Sequence, residues 1–163
     1  MKNLFVLFVV VVFLGLSACT QKVDLEAEKA QVKTVVDQLE QLFETEDMDL
    51  FSRIYAHDSD MVIFGTDAAE RFVGWEAVKE SFQQSFASFE NTKLTVKDQV
   101  IKVHQSGEVA WFSEIMDWDL VAQGQPVTIQ GTRLTGVLEK RNGNWVIVQV
   151  HASVPVAGQA AEY

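Results

Sequence analysis

The sequence predicts an α+β fold: three N-terminal helices packed on a strongly curved, mainly antiparallel sheet, forming a cone with a mouth. Three observations carry this expectation. Apolar residues recur at helical spacing in the first half of the chain, alternating runs fill the second half, and hairpin-type turns separate those runs.

The first eighteen residues stand apart. Lys2 precedes an apolar run from Leu4 to Leu16, and Leu16-Ser17-Ala18-Cys19 closes it. The run is too short to span a hydrocarbon core ~30 Å thick comfortably, and small residues before a cysteine suit a peptidase. Residues 1–18 are therefore expected to be a bacterial lipoprotein signal peptide with its lipobox, leaving Cys19 as the lipidated first residue of the mature chain. Acyl chains contributing ~0.8 kcal/mol per buried methylene would hold it at a bilayer surface. Residues 19–23 form a short tether, 24–156 one domain, and 157–163 a flexible tail.

Within the domain, Leu25, Val32, Val35, Val36, Leu39, Leu42 and Phe43 recur at steps of three, four and seven, which predicts a long amphipathic helix after Asp24. A shorter helix fits Met48 to Tyr55, with Asp47 as its cap. Met61 to Phe64 has strand character, and Asp67 to Glu70 reads as a turn leading through Arg71-Phe72-Val73 to Gly74. Trp75, Val78, Phe82, Phe86 and Phe89 again keep helical spacing, an aromatic stripe of the kind that builds cores. Four alternating runs follow: Thr92–His104, Glu108–Val121, Val127–Glu139 and Trp145–Val154. In the first, Leu94 and Val96 share one parity and Ile101 and Val103 the other, so a bulge near Asp98 is expected to bend the strand.

Composition excludes several functions. Cys19 is the only cysteine, so no disulfide framework or cysteine-ligated metal site is available. Acidic residues outnumber basic ones 23 to 13, for a formal charge of −10, and the basic residues are scattered, which argues against a nucleic-acid partner. His57 and His104 lack partners at metal-ligand spacing, and no glycine-rich phosphate loop occurs, so neither a metal nor a cofactor is expected.

Arg133-Leu134-Thr135-Gly136-Val137, Arg141-Asn142-Gly143-Asn144-Trp145 and His151-Ala152-Ser153-Val154-Pro155 resemble the closing hairpin of the SnoaL-like and nuclear-transport-factor-2-like (NTF2-like) superfamily. They are especially similar to the branch that includes the calcium/calmodulin-dependent kinase association domain. The helix start Gly74-Trp75-Glu76-Ala77-Val78 and the strand order match too, so the resemblance runs from about Asp24 to Pro155. It implies the cone fold, a homo-oligomer such as a dimer, and a small-molecule pocket. Activity does not follow, because one scaffold serves enzymes and non-catalytic proteins alike. For a lipoprotein with Thr20 after the cysteine, resemblance to Gram-negative examples implies export and an outer-membrane anchor facing the periplasm.

Alternation puts Trp145, Ile147, Gln149, His151 and Ser153 on one mixed face, which fits a pocket wall or a subunit interface. A two-residue Asn142-Gly143 turn would set Leu134 beside His151 and turn Arg133 away, whereas a one-residue bulge at Gly143 would set Arg133 beside His151. The second register keeps the apolar rows together and is the expected one. Arg133 and His151 would then offer donors to a carboxylate or other planar anion. On the neighbouring strand, either Glu114 with Trp118 or Trp111 with Asp117 faces the cavity, and an inward carboxylate against an indole could serve as a general base. Tyr55 and Asp67 fall in regions that the resemblance places at the pocket mouth, and Trp75 joins the expected lining.

The sequence thus predicts a lipid-anchored envelope protein that binds a small organic molecule without turnover. The alternative is an acid–base isomerase, dehydratase or hydrolase using Glu114 or Asp117 with His151 or Arg133, and a further alternative is a structural homo-oligomerisation module.

Overall fold

The computed structural model describes residues 22–158. The expected signal peptide, the expected lipobox with Cys19, and residues 159–163 of the expected tail lie outside them. The element order is α1 (Leu25–Thr45), α2 (Met48–Ile54), β1 (Val62–Phe64), β2 (Arg71–Val73), α3 (Trp75–Phe86), β3 (Phe89–Val103), β4 (Val109–Ala122), β5 (Gln125–Arg141) and β6 (Asn144–Ser153). No helix among the described residues is long and apolar enough to cross a membrane.

Side chains start both early helices. The Asp24 carboxylate accepts from the Ala27 amide at 3.1 Å, and Asp47 accepts from the Asp49 and Leu50 amides at 2.8 and 3.0 Å, satisfying donors that a helix start leaves free. α1 buries Val32, Val36, Leu39 and Leu42, the stripe its periodicity predicts, against Phe112, Met116, Leu138 and Ile147 of the sheet. The sheet order is β2-β1-β6-β5-β4-β3, antiparallel throughout except for β1 against β6.

Bulges curl this sheet. β3 shifts register between Lys97 and Val100, with Asp98 at φ 52°, as the parity change predicts. β4 and β5 shift between Met116 and Trp118, where the Asp117 carboxylate accepts from the Gly131 amide at 2.9 Å. Gly136 permits a close approach: a Cβ there would lie 2.4 Å from Phe112 Cε1 and 2.9 Å from the Gln149 carbonyl oxygen.

The closing hairpin differs from the expected register. Arg141 faces Asn144, so Asn142 and Gly143 form a two-residue turn, both at positive φ (52° and 85°), the conformation that matches strand twist. The bulge lies instead at Val148, between the pairs Leu138–Ile147 and Val137–Gln149. That extra residue reverses the alternation. Trp145 and Ile147 are buried under the helices, Val150 and Ala152 continue the inner face, and Gln149, His151 and Ser153 turn outward. Arg133 pairs with Ser153, and Thr135 rather than Arg133 stands opposite His151.

Candidate functional site

The cone encloses a cavity of about 270 Å³ between α1, α3 and the inner face of the sheet. Its walls are mainly apolar and aromatic: Leu39 and Phe43 descend from α1, Phe82 from α3, and Trp118, Leu134 and Ala152 rise from the sheet. The rings interlock. Phe43 meets Trp118 edge-on at 4.9 Å between centroids and leans on Phe82 at 5.5 Å, and Phe82 meets Tyr55 edge-on at 5.4 Å.

A few polar groups interrupt this surface. Tyr55, 2% exposed, caps α2 and lines the cavity. Burial pushes its phenol far above the usual tyrosine range, so it stays protonated and able to donate. Thr132 stands on β5 beside Met116, and its buried Oγ1 has no hydrogen-bond partner among the described residues. Glu70 lies at the mouth, folded over its own turn so that Oε2 accepts from the Asp67 amide at 2.9 Å. Among the described residues, no Lys, Arg or His lines the cavity.

The structure divides the residues expected from sequence. Tyr55 and Trp118 line the cavity, while Trp75 stacks between Phe51 at 4.9 Å and His57 at 3.7 Å outside the lining. Trp111, 46% exposed, shares the outer face of the sheet with Arg133, His151 and Ser153. There His151 meets Phe64 edge-on at 5.7 Å. The convergence of Arg133 and His151 inside the cone is thus corrected by the Val148 bulge: both donors lie behind the cavity wall. Asp67 lies in the turn that Glu70 grips.

Of the two carboxylates on β4, Glu114 is the inward one. It is 3% exposed, and burial pushes its carboxyl up to about 7 despite a hydrogen bond from Gln99. It lies beside Leu134 on the inner face, outside the cavity lining. Asp117 faces outward, where Lys97, ahead of the Gly131 amide, holds it below the usual carboxylate range. Thr132, Glu70 and Phe72 were not anticipated. Thr132 has a sequence signal, since it shares parity with Leu134 and follows Gly131, the glycine of a bulge.

A curled sheet capped by three helices over an apolar cavity defines the NTF2-like class. The chain belongs to the family of the SnoaL-like domain, whose model matches residues 32–157. Solved structures agree. An NTF2-like superfamily protein from Salmonella enterica serovar Typhimurium is 19% identical, with a TM-score of 0.75 over 85% of this chain and 98% of its own. A proposed dehydratase of the NTF2-like family from Streptomyces avermitilis is 16% identical (TM-score 0.72, covering 81% and 99%). A proposed calcium/calmodulin-dependent protein kinase II association domain from Xanthomonas campestris is 22% identical (TM-score 0.66, covering 83% and 95%). Among curated proteins, none matches the chain.

Proposed function

We propose that the cavity binds a small, neutral, largely apolar molecule of one or two rings and does not transform it. The observation that carries this reading is the lining: aromatic and aliphatic walls, hydroxyl groups that include Tyr55 and Thr132, and no cation among the described residues. An apolar body gains from leaving water, and a carbonyl or hydroxyl oxygen on it satisfies the Tyr55 and Thr132 hydroxyls. An anion would meet no positive charge among the described lining residues, and Glu70 at the mouth of a strongly acidic chain would repel it.

The acid–base alternative rests on Glu114, the carboxylate whose pKa suits a general base. Because it sits sealed beside the cavity wall and outside the lining, binding is the better supported reading. The test is a matched pair, titrating the full-length chain with 2-naphthol and with 2-naphthoate. Saturable binding of the alcohol alone is expected. Equal or tighter binding of the carboxylate would sink the neutral-ligand reading, and binding of neither would sink the cavity as a site.

The protein is further proposed to act as a homodimer anchored to the cell envelope by lipid on Cys19, facing the periplasm from the outer membrane. The lipobox supports the anchor. The outer sheet face supports the dimer: Val100, Val109 and Trp111 are exposed there beside Arg133 and the Lys97–Asp117 pair, and a second copy would meet this mixed surface with the same one.

A further inference from the structure

Glu114 lies beneath α1 in a setting the ligand reading does not use. Gln99, placed inward by the bulge in β3, directs one amide nitrogen at two carboxylates: Nε2 donates to Glu114 Oε2 at 3.0 Å and to Glu40 Oε1 at 3.2 Å. Both protons of that nitrogen are committed. Glu114 Oε1 is fully enclosed and has no partner among the described residues. An ionised Glu114 would leave a buried charge on that oxygen, whereas a protonated one carries a neutral hydroxyl there.

The surrounding charges favour the proton. From α1, Glu40 and Asp37 face Glu114, and Lys33, the one cation acting on it among the described residues, is held by both Asp37 oxygens at 2.6 and 2.8 Å. Glu44, one turn further along α1, is engaged with the Leu94 amide of β3 at 3.0 Å. From β3 the contact is Gln99, which is neutral, and the β5 neighbour Leu134 is apolar. Glu40 is itself pushed up, by burial first and then by Asp37.

We propose that Glu114, Gln99 and Glu40 form a proton-operated latch between α1 and the sheet, fastened when Glu114 is protonated and loosened when it ionises. Glu40 adjoins Leu39 and stands one turn before Phe43 and Glu44, and Leu39 and Phe43 wall the cavity. Loosening α1 therefore opens that wall. This last consequence rests on the cavity as a binding site; the latch itself does not.

The direction with pH follows from the raised carboxyl. Below 4.5, its ordinary value, Glu114 is protonated in the fastened and loosened states alike, and the latch is at full strength. As pH rises towards about 7, the loosened state gives up its proton first and the latch weakens; above about 7 the loss is complete. The opening equilibrium of α1 then rises on the order of a hundredfold across that window.

Hydrogen exchange of the full-length chain in nonionic detergent from pH 4.5 to 8.5, corrected for the intrinsic rate, tests this. Protection of α1 amides should fall on the order of a hundredfold in the native protein and stay level in Glu114→Gln, whose neutral amide replaces the protonated acid. Glu40→Gln, which removes a repelling carboxylate, should shrink the fall and end it at lower pH. A level profile in the native protein, or an unchanged fall in either variant, would overturn the latch. Binding of 2-naphthol should be tighter at pH 5 than at pH 8. An intact latch with no 2-naphthol bound at either pH would overturn the cavity reading alone.

Discussion

The indole of Trp145 donates to Glu28 Oε2 at 2.9 Å, and Lys140 reaches both oxygens of the same carboxylate at 2.6 and 2.7 Å. The first turn of α1 is thereby tied to the closing hairpin, more than a hundred residues away. Lys140's hydrogen bond, against the opposing effect of burial and with help from Trp145, holds Glu28 below its ordinary 4.5. A depressed carboxyl stabilises the fold above that value and loses its contribution as pH falls below it. Glu28→Gln should cost about 1–3 kcal/mol at neutral pH, because Lys140 loses its counter-charge, and should flatten the acid limb of the stability profile. Urea unfolding at pH 7 and pH 3.5 measures both; an equal cost at the two values would refute the linkage.

The cavity predicts opposed effects on binding and stability. Thr132→Val removes a buried hydroxyl without a partner among the described residues, so the empty protein should gain about 1 kcal/mol while 2-naphthol binds several-fold more weakly. Ala152→Phe should fill the space and abolish binding while the circular dichroism spectrum stays native. Undiminished 2-naphthol affinity in Ala152→Phe would place the ligand elsewhere.

Gly136 is a packing requirement. An added Cβ cannot avoid both the Phe112 ring and the Gln149 carbonyl, and the latter is backbone, so Gly136→Ala should destabilise the fold by about 2 kcal/mol or more. A loss below about 0.5 kcal/mol in urea unfolding would show that β5 and β6 separate readily at this point.

For the outer face, Trp111→Glu should convert the proposed dimer to monomer in sedimentation experiments while leaving 2-naphthol binding in place. Trp111 is 46% exposed, and in a two-fold contact through this face a charge placed there would be set against its own copy. An unchanged sedimentation coefficient would remove this face as the contact.

At the other end of the chain, Cys19→Ala should move the protein out of the membrane fraction. Retention there without lipid would reject the lipobox reading.

Much of this architecture follows from local pattern. The α1 stripe, the Asp47 cap, the bend at Asp98 and the four long strands are properties of short windows, where a side chain's direction depends only on the period of its own element. Alternation leaves two choices for the inward set on β4, and burial against α1 selects Glu114 and Trp118. The face of β6 was not legible. One bulged residue, Val148, reverses every side chain after it, and nothing in the alternation Trp145–Ser153 announces it. Which segments form helices and strands is legible locally, because periodicity and turn chemistry act over a few residues. That His151 and Arg133 look outward, that Thr132 looks inward and that Glu114 is sealed beneath α1 emerges only from long-range packing, because register and burial are set by cross-strand pairing between segments far apart in the chain.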